Sequence, residues 1–139
     1  MDKQIVKDTK LLYKMSYHMA TSLLKQFQEF HPLTAFIDKE GKSSYLNIFE
    51  GNEFPNSKKL VQKYTKFYKK ESKKYRAVSI IYNTTVKEPS GKAKDTVIIS
   101  IHHKGGYSKV FHVPYKIISK NKIHFYKTES AEQKSYIFS

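Results

Sequence analysis

The stretch Asp95 to Ser119, DTVIISIHHKGGYSKVFHVPYKIIS, constrains the fold most, because two β-rich runs flank a glycine pair. Glycine takes positive φ without a Cβ penalty, so Gly105-Gly106 marks a reversal between two long antiparallel strands. A strict two-residue loop sets Val97, Ile99 and Ile101 against Pro114, His112 and Val110, which mixes the two faces. A three-residue loop, Gly105-Gly106-Tyr107, sets Ile101 against Phe111, Ile99 against Val113 and Val97 against Tyr115. The second register collects the large apolar side chains on one face and is the expectation here. Ser100, His102, Val110 and His112 then share the other, wetter face, with His102 and His112 as diagonal neighbours. His103 falls on the core side with Ile101.

The remaining segments supply the cover for that hairpin. Leu12, Met15, Met19, Leu23, Phe27 and Phe30 recur at steps of three and four, which predicts a helix over residues 5–30. Asp8 or Thr9 would cap it, Ile5 and Val6 allow an earlier start, and His31-Pro32 closes it. Leu33–Asp38 and Ser43–Phe49 read as a strand pair around Lys39-Glu40-Gly41-Lys42; apolar groups on both of its faces leave the buried one unassigned. After a loop at residues 50–54, Pro55-Asn56-Ser57 opens a second helix that runs to about Lys74. Leu60, Val61, Tyr64, Phe67 and Tyr68 form its apolar face, opposite Lys59, Lys63, Lys66, Lys70 and Lys73. Period-two alternation from Ala77 to Val86 is a long strand, Lys87–Lys94 an exposed connection, and Ile123–Tyr126 a short last strand after the turn Lys120-Asn121-Lys122. Residues 128–133 are polar, and Tyr136-Ile137-Phe138 is an apolar tag. The order α-β-β-α-β-β-β predicts an α+β domain over residues 1–128, an antiparallel sheet of five to six strands with both helices on one face, and a tail at 129–139.

Three of these segments, HPLTAFIDKEGK, YRAVSIIYN and DTVIISIHHKGGYSKVFHVPY, resemble a class of small bacterial proteins of unassigned function, over residues 30–118. The resemblance implies a bacterial cytosolic domain and transfers no catalytic residue. The order of elements is similar to the roadblock and profilin-like αββαβββ arrangement, which implies a protein-binding or dimerising module by fold analogy.

Composition narrows the function classes. A chain of 139 residues with no cysteine fits one domain with a single core and excludes thiolate metal sites and cysteine catalysis. The polar start MDKQIVKDTK and the lack of any apolar run near the ~20 residues of a membrane span point to the cytoplasm. The formal charge of +14 invites polyanions, yet all but one of the 26 basic residues are lysine, whereas base readout and bidentate phosphate clamps favour arginine. Arg76 is the exception.

No dinucleotide, P-loop, zincin or hydrolase-elbow motif is present, so the chain reads as leaning away from an enzyme, with no cofactor implied. Three site hypotheses remain. The first is a protein-interaction domain, self-associating as a homodimer or taking a protein partner, through a sheet edge or through Tyr136, Ile137 and Phe138. The second is nucleic-acid binding by Lys59, Lys63, Lys66, Lys70 and Lys73 with sheet aromatics Tyr45, Phe49, Tyr82, Tyr107 and Tyr115; a solvated helix face accounts for the same lysines. The third is a metal or small-ligand site at His102 and His112, with Asp95 or Glu88 as the orienting carboxylate; two ligands are one fewer than a catalytic zinc normally has.

Overall fold

The computed structural model describes residues 2–46 and 57–138. The expected strand end at 47–49, the loop at 50–54 and the helix start at Pro55-Asn56 lie outside the described residues. Helix α1 spans Lys3–Phe27. Its cap is Asp2, whose carboxylate accepts from the Gln4 amide at 2.6 Å, so Asp8 and Thr9 fall inside the helix. Gln28, in the left-handed conformation at φ 65, ends it by donating its amide to the Leu24 carbonyl.

Strand β1 (Leu33–Asp38) pairs with β2 (Ser43–Leu46); helix α2 (Ser57–Lys70) and a 3-10 turn (Ser72–Lys74) then lead into β3 (Tyr75–Lys87). Strands β4 (Ala93–His103), β5 (Tyr107–Ser119), β6 (Lys122–Phe125) and β7 (Glu129–Lys134) complete an antiparallel sheet in the order β2-β1-β3-β4-β5. On the outer edge of β5, β7 pairs with Tyr107–His112 and β6 with Tyr115–Ser119, end to end. The seam falls at Val113-Pro114, where proline has no amide to offer and its carbonyl accepts from Tyr126 at 2.9 Å. Residues 129–134, expected as tail, are thus a strand of the sheet.

The central hairpin splits its faces as its alternation requires, but the register differs by two. Ile99 opposes Phe111, Val97 opposes Val113 and Ile101 opposes Lys109. The loop is Lys104-Gly105-Gly106, closed by the Gly106 amide on the His103 carbonyl at 3.0 Å with Gly106 at φ 84. A shift of two leaves every side chain on its face, so Val97, Ile99, Ile101, Val113 and Tyr115 still enter the core beneath α1.

The two helices take opposite faces, which corrects the expected one-sided packing. Helix α1 covers Ala35, Ile37, Ala77, Ile81, Val97 and Ile99, while Leu60, Tyr64 and Tyr68 of α2 cover Val78 and Ile80 on the reverse side. The reason is visible in β3, where Ala77 to Ile81 are buried without a break. A strand with apolar groups on both faces needs cover on both. Tyr68 and Thr34 join hydroxyls at 2.6 Å to pin α2 over β1.

Along α1 the residues that face the sheet are Leu12, Ser16, Ala20 and Leu24, a stripe of four-residue steps. Small side chains in the middle let the helix approach closely, and Ser16 meets Ser79 hydroxyl to hydroxyl at 2.8 Å. Met15, Met19 and Leu23 pack at its flank, and Phe27 is 65% exposed. Ala20→Leu would therefore overpack the interface and cost about 2 kcal/mol, while Phe27→Ala changes stability by less than about 0.5 kcal/mol. Urea unfolding of both variants checks this, and the reverse ranking would place the helix on the wrong face.

Candidate functional site

The expected histidine pair is not assembled. His102 opposes Ser108, and His112 opposes Ile98 on one side and Glu129 on the other, so the two lie four residues of strand apart, about 13 Å. Asp95 bonds Thr85 and Glu88 pairs with Lys94, so neither carboxylate orients a histidine. Among the described residues no three His, Asp or Glu side chains gather in a metal-holding group.

What the sheet does build is a back-to-back arrangement of adjacent histidines. His102 and His103 point to opposite faces of β4, as successive strand residues must. On the α1 face, His103 Nε2 lies 2.8 Å from the Asp8 carboxylate, which also accepts from Arg76 at 2.9 and 3.1 Å and from Gln4 at 2.7 Å. Burial raises the Asp8 pKa, but the hydrogen bonds from His103, Arg76 and Gln4 outweigh it and hold the carboxyl below its ordinary 3.8. His103 Nδ1 is buried without a partner among the described residues. The single arginine of the chain is thus spent on tying helix to sheet.

On the α2 face, His102 is fully buried, with Nε2 2.8 Å from Ser100 Oγ and Nδ1 3.0 Å from Ser135 Oγ. Ser135 Oγ also accepts from the Ile137 and Phe138 amides, which folds residues 135–138 back over the sheet. Burial pushes the His102 pKa down to about 4. A serine–histidine contact at 2.8 Å has the distance of a nucleophile and its base. Here the Tyr136 ring closes over the imidazole at 4.3 Å, and the arrangement acts as a latch on the C-terminal segment.

That latch removes most of the expected interface tag. Ile137 and Phe138 are buried against α2, leaving only Tyr136 substantially exposed. The expected stacking aromatics are dispersed too: Tyr115 is buried in the α1 core, Tyr82 packs in the α2 cluster, Tyr107 bonds Glu132 and Tyr45 bonds the Met15 carbonyl. Phe49 lies outside the described residues. Lys59, Lys63, Lys66, Lys70 and Lys73 are exposed along and just beyond α2, as expected.

Besides a hollow of about 1070 Å³ around Leu23, Phe30 and Leu46, two concave surfaces remain among the described residues. One, of about 980 Å³, runs beside α1, where Tyr13, Tyr17 and Phe111 face a rim of Lys10, Lys14 and Lys109. Tyr13 stacks on Phe111 at 4.3 Å, and Lys109 sits over the Phe111 ring at 5.3 Å. The sequence signal for it was weak, because Tyr13 and Tyr17 lie between the positions of the main helical stripe. The other, of about 870 Å³, lies between the end of α2, the β4–β5 turn and the C-terminal segment. No protein-family model, curated protein or solved structure matches the chain. No helix among the described residues is long and apolar enough to cross a membrane.

Both histidine networks make checkable predictions. Asp8→Asn leaves Arg76 and His103 facing a neutral amide and should cost about 3 kcal/mol in urea unfolding. Because His102 is neutral in the fold down to about 4, against 6.5 in the open chain, its contribution is complete above 6.5 and is lost as the pH falls toward 4. Between pH 7 and pH 5 the protein should lose about 2 kcal/mol more than His102→Gln does, and equal pH slopes would contradict the buried neutral state.

Proposed function

We propose that this chain is a non-catalytic protein-interaction domain that holds an acidic amphipathic segment of a partner in the groove beside α1. The observation that carries this reading is the Tyr13–Phe111 stack set in a concavity rimmed by Lys10, Lys14 and Lys109. Aromatic rings with lysines around them supply desolvated anchors and a charge to match. Glu132 is the one acidic residue on that lining, so the groove selects against basic partners.

Charge also ranks the occupants. A second copy of the chain brings another +14 to the interface, whereas an acidic segment relieves the repulsion. Self-association through a sheet edge is the competing occupant. The rim lysines give the partner its on-rate, and the rings give it its residence time.

Fluorescence anisotropy with a labelled acidic helical peptide, carrying Leu and Phe at steps of three and four, tests the reading. Binding should weaken by about tenfold or more in Phe111→Ala, and by a similar factor in Lys10→Glu/Lys14→Glu. A basic peptide with the same apolar positions should not bind. Absence of acidic-peptide binding at low salt, with a concentration-dependent dimer in light scattering, would replace this reading with self-association.

A further inference from the structure

The second concavity has a different chemistry. Lys69 reaches it from α2, Lys73 from the 3-10 turn and Lys104 from the β4–β5 turn, and Gly105, Gly106 and Tyr136 complete its wall. No carboxylate lines it among the described residues. Nearby Glu71 is paired with Lys74 at 2.9 Å. Solubility alone is served by lysines spread over a convex surface. Three ammonium groups brought from separate elements into one cleft repel one another, and an anion bound between them relieves that repulsion.

Tyr136 adds the second half of the site. Its ring is held edge-on against His102 while 44% of the residue stays exposed, so a rigid aromatic borders the lysines. Lys66, exposed on α2 one turn before Lys69 at a helical spacing of three, continues the positive surface beyond the cleft. Phosphate between ammonium groups with a planar ring alongside is the chemistry of a nucleotide.

We infer that the cleft formed by Lys69, Lys73, Lys104 and Tyr136 is a nucleotide-phosphate site, with the base placed against Tyr136. It is separate from the groove beside α1, and its test stands or falls alone. The nucleotide has two sources, a free mononucleotide or one unit of a single strand whose next phosphates follow Lys66 and Lys63.

The experiment uses the full chain with a fluorescein-labelled oligothymidylate of about twelve nucleotides at low salt, read by anisotropy. AMP and inorganic phosphate serve as competitors. Lys69→Gln/Lys73→Gln/Lys104→Gln should weaken binding by about tenfold or more, and the charge-matched Lys3→Gln/Lys25→Gln/Lys122→Gln by less than about threefold. Both variants should keep the parent's thermal unfolding curve, since these lysines are surface groups. AMP that matches the oligonucleotide in affinity per molecule identifies the free nucleotide as the ligand; an oligonucleotide far tighter than AMP identifies the strand. Equal losses in the two triple variants, no binding at low salt, or inorganic phosphate competing as well as AMP would overturn the assignment.

Discussion

The Asp8 carboxylate is the interaction on which the rest of the structure depends. It stands on the first helix and gathers donors from β3 and β4, and thereby fixes the helix azimuth over the sheet. A buried ion pair adds little net stability over an apolar substitute, because desolvation consumes most of the Coulomb gain. Its geometry, however, agrees with the rotation of α1 that turns Leu12, Ser16, Ala20 and Leu24 to the sheet. With that rotation set, Ser16 and Ala20 face the sheet, the backbone approaches closely, and Tyr13 is left at the flank where it meets Phe111. The groove beside α1 is therefore a consequence of where one carboxylate is anchored.

The same point on β4 organises the other face. Adjacent histidines project in opposite directions, one to the helix that begins the described chain and one to the segment that closes it. Their electrostatics differ because their partners differ. His103 faces a carboxylate, whereas His102 faces two hydroxyls and an aromatic ring, and desolvation alone holds it neutral. Two adjacent residues of β4 thus anchor one tether on each face of the sheet.

Much of the fold was legible from the sequence because alternation reports faces. The hairpin core Val97, Ile99, Ile101 and Val113 follows from parity, and parity is blind to a slide of two residues, so alternation alone sets the loop one residue late and the register two away. The one-sided packing of helices failed for a related reason: Phe36 and Ile37, or Ile80 and Ile81, are apolar on both sides, and that run signalled two covered faces. Strand β7 carries no apolar pattern, since Glu129–Lys134 is exposed throughout, so nothing local distinguished it from a tail. The sites were less legible. Long-range pairings such as Asp8 with Arg76 and His102 with Ser135 leave no spacing signature, although a lone arginine and a single acid inside a lysine-bearing amphipathic helix are the available hints.

Residues 129–138 finish two things made long before them in the chain: the outer edge of β5 and the apolar space under α2. During synthesis, a nascent chain that has already emitted both helices and six strands still carries an open strand edge and an uncovered His102. Open edges of this kind recruit other chains. The interval before the last ten described residues leave the ribosome is consequently the period in which this protein is most exposed to misassembly, and a chaperone that shields β5 would act on that interval alone.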